Sequence, residues 1–398
     1  MEIEKGLGLR DVESEFIRFM NRLGGVFASE RGFKTCQKYI KGLLGPAERK
    51  NGWQLSEALG ETTPYEIQQF LYRGRFSSDE IQDVLREYVG EELGEEDGVM
   101  VIDETGFLKQ GKKSCGVKRQ YSGTAGRIEN CQIGVFLTYA SQKGHSPIDR
   151  RLYIPEDWNN DEGRRKEAGV PETVTFQTKP QMALEMIQEA TTARLPYTWV
   201  TGDCVYGDFT DIRLWLEEIN KCYVMGVSGK AYVWRGYKQE SVSSTLKNLP
   251  EEGWFEASCG SGSKGERIYD WLVVEINPGT VQGFKRSLLI RRSKNASDEL
   301  RAYICFAPID TPAQKLIEIA GTRWTVETCF KESKSEVGLD QYEVRSYQGW
   351  YKHITLACVA IAFLTVLSAN SLDGKTMQQH NPSVSSLDEF KKGRKFHV

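Results

Sequence analysis

Histidine is scarce in this chain: only four occur among 398 residues. None stands in an H-E-x-x-H arrangement, so the commonest zinc-hydrolase pattern is missing. Nine cysteines are scattered without a C-x-x-C pair, and neither a zinc site nor a disulfide scaffold is expected. The opening Met1-Glu2-Ile3-Glu4-Lys5 lacks a basic region followed by an apolar one, so no signal peptide is expected. The longest apolar run, Ile354 to Ala369, is shorter than the roughly 20 residues that span a bilayer. It reads as a helix buried against a sheet, in a chain with no membrane partner. A global excess of positive charge is also lacking, since the net charge is −3. Any polyanion would have to meet local patches. Two such patches contain no acid: residues 109–127, with Lys109, Lys112, Lys113, Lys118, Arg119 and Arg127, and residues 284–294, with Lys285, Arg286, Arg291, Arg292 and Lys294.

What is present is concentrated in Arg323-Trp324-Thr325-Val326-Glu327-Thr328-Cys329-Phe330-Lys331-Glu332-Ser333-Lys334. On a helix, at about 100° per residue, Arg323 and Lys331 fall about 40° either side of Glu327 and Lys334 about 20° away. Glu332 points about 140° off. One carboxylate is thus framed by three cations. Ordinary i,i+4 stabilisation can produce such a ladder, but two isolated acids upstream weigh against that reading. Asp103 ends Val99-Met100-Val101-Ile102, and Asp203 ends Tyr197-Thr198-Trp199-Val200-Thr201-Gly202. Two strand-end aspartates and a glutamate on a later helix can form a hard-oxygen site for two Mg²⁺ ions, with cations at hand for phosphates. Glu104 alternates to the other face of its strand and Asp208 lies beyond a glycine turn, which makes both weaker candidates.

Along the chain, residues 1–97 read as helical. Thr63 is the expected N-cap and Pro64 the first residue of a helix through Tyr72, and another helix spans Ser78 to Val89. These short helices suit a helix-turn-helix DNA reader or a plain bundle. The acidic stretch Glu91-Glu92-Leu93-Gly94-Glu95-Glu96-Asp97 reads as a solvated linker. Strands are predicted at 99–103, 116–121, 131–140, 149–154, 197–203 and 222–227, with helices at 179–194 and 209–220 between the later ones. Three of the four early strands, then a helix, a strand, a helix and a strand, give a ribonuclease H-like order, which sets Asp103 and Asp203 side by side at the sheet edge. Residues 229–301 turn glycine-rich and strand-like. A helix is predicted over 311–320, with Glu327 on the helix after it, and the segment 371–398 reads as a flexible polar tail.

Several blocks carry a resemblance. They are Ile102-Asp103-Glu104-Thr105-Gly106-Phe107, Arg119-Gln120-Tyr121-Ser122-Gly123, Arg151-Leu152-Tyr153-Ile154-Pro155 and Gly202-Asp203-Cys204-Val205-Tyr206-Gly207, together with Arg323, Glu327 and Lys334 at the right spacing. In this order they resemble the DDE transposases of bacterial insertion sequences, within them the Tyr-Arg-Glu-Lys group, and most of all insertion sequence family 701. The Tyr of that signature falls at Ala320, a departure from the pattern. The resemblance implies an α/β fold: a ribonuclease H-like mixed sheet (98–228 and 302–370), a β-rich insertion (229–301) and an N-terminal helical DNA-binding domain (1–97). It implies cut-and-paste transposition, in which Asp103, Asp203 and Glu327 are both catalytic and metal-binding, with two Mg²⁺ per site and Mn²⁺ as substitute. Arg323, Lys331, Lys334, Lys118, Arg119 and Trp234 are the expected DNA contacts. Trp234 is chosen as an insertion tryptophan able to stack a flipped base in a hairpin intermediate. Expected partners are double-stranded DNA, as terminal inverted repeats and target, and a second copy of the chain, in a cytoplasmic, nucleoid-associated protein. Two alternatives stay open: a silent DNA-binding protein or repressor that recognises inverted repeats, and a ribonuclease H-like nuclease.

Overall fold

The computed structural model describes residues 9–262, 265–294 and 299–376, with side chains from residue 12 to residue 371. The expected tail beyond residue 376, with its basic Lys391-Lys392-Gly393-Arg394-Lys395, lies outside the described residues.

Five helices open the chain: α1 (Leu9–Leu23), α2 (Glu30–Leu44), α3 (Gly52–Ala58), α4 (Tyr65–Arg73) and α5 (Ser78–Glu92). Side-chain caps start three of them. Ser29 accepts from the Gly32 amide, Asn51 from Trp53 and Gln54, and Ser77 from Glu80, which satisfies amides that lack an intrahelical partner. Pro64 itself occupies the N-cap of α4 with no side-chain bond, one residue beyond the Thr63 expected.

The sheet strands are β1 (Val99–Leu108), β2 (Lys118–Ser122), β3 (Arg127–Ser141), β4 (Gly144–Tyr153), β5 (Trp199–Gly202) and β6 (Cys222–Val227). Helices α6 (Glu156–Asn159), α7 (Glu162–Ala168) and α8 (Lys179–Thr192) lie between β4 and β5, and α9 (Cys204–Gly207) and α10 (Thr210–Glu218) between β5 and β6. β1 is central, antiparallel to β3 and parallel to β5, while β4 lies on β3 and β6 on β5. This is the ribonuclease H-like order, and the fold is the mixed α/β sheet with a helical N-terminus.

The glycine-rich segment then adds a hairpin, β7 (Tyr232–Arg235) with β8 (Lys238–Ser241), and a short α11 (Val242–Lys247). Its longer strands do not form a sheet of their own. β9 (Phe255–Gly262), β10 (Gly265–Glu275) and β11 (Phe284–Arg292) continue the central sheet through β12 (Leu300–Pro308), which pairs with β6.

Two long helices close the described chain. α12 (Ala313–Val337) runs unbroken where two helices were expected. α13 (Tyr347–Thr376) extends past residue 370. Its stretch Tyr347–Ser371 has a mean hydropathy of 1.9 and is, contrary to the sequence reading, long and apolar enough to cross a bilayer; 83% of its apolar window is buried inside the protein. It packs against β4 and against α2, α4 and α5. Tyr39 of α2 and His353 of α13 share a buried 2.7 Å hydrogen bond, so the N-terminal helices and the sheet have one continuous core. The acidic stretch is tied down as well. The Glu95 amide donates to the Tyr139 hydroxyl at 2.9 Å, and the Asp97 carboxylate accepts from Trp199 Nε1 at 3.0 Å and pairs with Lys315.

Candidate active site

Asp103 stands midway along β1, opposite Phe136 of β3. Asp203 follows β5, the parallel neighbour of β1, and caps α9 by accepting from the Val205 amide at 2.9 Å. Glu327 comes from the middle of α12, which packs against β1 and β5. The link among them is Arg323. One Nη donates to Glu327 Oε1 at 2.9 Å, and the other reaches Asp103 Oδ2 at 3.5 Å. The i,i+4 geometry read from the sequence is therefore present, and its cation also reaches the first strand.

Burial raises the Asp103 carboxyl to about 7. The Arg323 charge opposes that rise, and Asp203 adds to it. Asp203 is raised too, first by burial and then by the charge of Glu104, with Arg323 again opposing. Both aspartates are thus held toward their neutral form chiefly by desolvation. Among the described residues no three His, Cys, Asp or Glu side chains are gathered as a ready-made metal site. The Arg323 guanidinium holds the position between Asp103 and Glu327. The donor set nevertheless fits a divalent ion, being three hard carboxylates of which two, Asp103 and Asp203, are desolvated.

Lys334 does not turn to Glu327. Its ammonium donates to Thr105 Oγ1 at 2.8 Å, Thr124 Oγ1 at 3.0 Å and the Gly106 carbonyl at 3.3 Å, which pins α12 to β1 through neutral oxygens. Burial lowers its pKa. Lys331 is exposed and forms no ion pair among the described residues, Glu327 included. Glu332 points away as the helix count requires and meets His145 of β4 at 3.1 Å. Ala320, at the place of the signature tyrosine, is buried in the core.

Glu104 alternates to the other face of β1, as expected: Asp103 and Thr105 meet α12, whereas Glu104 meets α8 and α9, with its charge still felt at Asp203. Lys179, at the start of α8, pairs with one of its oxygens at 2.7 Å, and the buried Tyr206 hydroxyl donates to the other. Tyr206 belongs to α9, directly after Asp203, so this contact ties the two aspartate-bearing segments together. The block Gly202-Asp203-Cys204-Val205-Tyr206-Gly207 contained that tyrosine, but no spacing rule pairs it with Glu104.

The remaining expected DNA contacts lie apart. Lys118 sits opposite Cys131, five positions along β3 from the partner of Asp103, or roughly 16 Å, and pairs with Asp157 at 2.6 Å. Arg119, beside it, is exposed. Trp234 is 50% exposed on the β7–β8 hairpin, with its carbonyl accepting from the Asn277 amide at 2.8 Å. Trp271 is buried and donates to the Ala257 carbonyl, while Trp254 lies under the Arg292 guanidinium at 4.0 Å. The two patches without acids of their own are partly neutralised from other elements: Lys113 by Glu167, Arg286 by Glu217, Arg292 by Asp270 and Lys294 by Glu256.

Comparisons with known proteins agree with this geometry. The family described as "DDE superfamily endonuclease" matches residues 22–245, more than half of the chain, a span holding Asp103 and Asp203. A second, "Transposase DDE domain", matches 177–363, which holds Asp203 and Glu327. A relative described as "Probable transposase for insertion sequence element IS701", from Microchaete diplosiphon, is 22% identical over 333 residues, covering 81% of this chain and 80% of its own length. With a ribonuclease H-like sheet that brings the acids of both matched spans to one cleft, the chain belongs to the DDE superfamily of endonucleases, as a DDE transposase of the insertion sequence family 701 type.

Proposed function

We propose that this DNA-binding transposase works by cut-and-paste, with Asp103, Asp203 and Glu327 as its three catalytic carboxylates. The observation that carries the reading is the Arg323 bridge, which joins the strand acid Asp103 to the helix acid Glu327 beside a desolvated Asp203. The three carboxylates would hold two Mg²⁺ ions, with Mn²⁺ able to substitute. Bound there, the ions would lower the pKa of the attacking oxygen and stabilise the leaving one. In the first step a water oxygen bonds to phosphorus and the bond to the 3′-oxygen breaks, which leaves a 3′-hydroxyl at the element end. In the second, that hydroxyl oxygen attacks a target phosphorus and another 3′-oxygen leaves. Only the nucleophile differs, so one site serves both. Arg323 moves from carboxylate to phosphate as DNA enters, Lys334 and Lys331 hold the flanking backbone, and Trp234 offers a ring to an unstacked base. The helices of 1–97 and the strip with Lys118 and Arg119 carry duplex DNA, and two copies of the chain act on the two ends.

Asp103→Asn, Asp203→Asn and Glu327→Gln should each abolish Mg²⁺-dependent cleavage of an inverted-repeat duplex while gel-shift binding persists, because removing a negative charge does not weaken attraction to phosphate. Robust cleavage by any one variant would remove that residue from the site.

A further inference from the structure

Arg291 of β11 is 7% exposed, yet its guanidinium makes no hydrogen bond or ion pair among the described residues, and its Nε and Nη1 are buried without a partner. It is held by aromatic faces instead, its carbon lying 4.4 Å from the ring centre of Tyr269 and 5.2 Å from that of Trp324. Arg267 of β10 stacks on the same Trp324 ring at 4.6 Å. It donates to the carbonyls of Cys259, Gly260 and Gly321, and its Nη1 is left buried without a partner. Arg323 completes the ring of cations at 5.3 Å. The acids around them are engaged elsewhere: Asp270 with Arg292, Glu266 with Ser258 and Ser261, Glu299 with Arg301, and Asp103 and Glu327 with Arg323.

A buried charged donor left unbonded is costly, and a cation–aromatic stack covers a guanidinium face without bonding its N–H edges. Packing alone therefore leaves this cluster short of an anion. Stacking covers guanidinium faces and leaves the N–H edges for a tetrahedral anion, which a planar fork grips in bidentate fashion. Trp324, Tyr269 and Arg267 are each partly exposed, so the cluster opens to solvent. Trp324 follows Arg323 directly on α12, beside the carboxylate cleft. We propose that Arg267 and Arg291 form a clamp for a backbone phosphate of the DNA strand led to Asp103, Asp203 and Glu327, an inference that rests on the endonuclease reading above.

The test is binding of a labelled duplex copied from the DNA that flanks the gene, measured in Ca²⁺ over a range of salt. Arg291→Met and Arg267→Met should each weaken binding roughly tenfold and flatten the slope of log Kd against log salt by about 0.9, the loss of one phosphate contact. Arg291→Lys keeps the charge and should keep the slope; should Arg291→Met fail to fold, Arg267→Met against Arg291→Lys still decides. An unchanged slope with a lowered melting temperature makes the stack purely structural and overturns the clamp. Mg²⁺-dependent cleavage of the same duplex by the unaltered protein reports separately on the endonuclease reading. Cleavage with unchanged slopes refutes the clamp alone, and failure of the unaltered protein to bind or cut refutes both.

Discussion

At the residue scale the site turns on Arg323, a cation shared by two acids that would otherwise repel. Its removal leaves the Asp103 carboxyl with burial and the Asp203 charge, both of which raise its pKa. Arg323→Ala should therefore cut cleavage by roughly tenfold or more and shift the metal requirement upward in magnesium titrations, with the melting temperature held. A large loss of melting temperature with normal specific activity would make the bridge structural. Asp103 itself gives a pH signature. Its folded-state carboxyl is raised from 3.8 to about 7 by burial, so its contribution to stability is full below the unfolded value and lost as pH rises through about 7. In chelator, the melting temperature of Asp103→Asn minus that of the unaltered protein should grow by a few degrees from about pH 5 to about pH 8. A flat difference would mean that this carboxyl titrates as if in water. The Arg323–Glu327 pair was legible from helix spacing, a local rule, whereas Asp103, expected at a strand end, stands midway along a β1 that continues to Leu108. Glu104 with Lys179 and Tyr206, and Arg291 with Tyr269 and Trp324, were not legible, since each joins segments far apart in sequence.

At the scale of the element, α12 shows why local rules also mislead. Gly321-Thr322 looks like a break, and a glycine inside a helix costs about 1 kcal/mol against alanine. The helix runs through it because β9 passes directly over that turn: a Cβ at Gly321 would lie 1.9 Å from the Cys259 carbonyl oxygen. Glycine thus marks a close backbone approach, and it sets how Arg323 and Glu327 lean over β1. Gly321→Ala should lower the melting temperature by several degrees and reduce cleavage by tilting α12, despite alanine's better helix propensity. Unchanged stability would show that β9 can give way. The same close approach explains why β9 to β11 join the central sheet when their glycine-rich composition suggested a separate subdomain: α12 is packed on β9 from one side, and β12 links them edge to edge with β6.

For the whole molecule, the composition shift near residue 97 suggested a boundary, but the packing does not stop there. Phe16 of α1 meets Phe363 of α13 edge to face and Phe19 stacks on it, at 5.6 Å each, Lys352 of α13 donates to the Gly74 carbonyl at 2.7 Å, and Arg86 of α5 pairs with the buried Asp149 of β4 at 3.0 Å. α13 is apolar on nearly every face because it has neighbours on every face, the sheet on one side and the N-terminal helices on the other. A membrane-length hydropathy signal in a largely enclosed helix follows from that position. Cutting the chain at residue 97 should therefore do more than remove a DNA-binding part. A fragment beginning at residue 98 would expose the face of α13 that the N-terminal helices cover and strip Arg86 from the buried Asp149, leaving it Arg151 as an ion-pair partner. Expressed by itself, it should aggregate or bind a hydrophobic dye strongly, and adding residues 1–97 in trans should restore solubility. A soluble fragment with a cooperative melting transition would show instead that the N-terminal helices are a detachable domain.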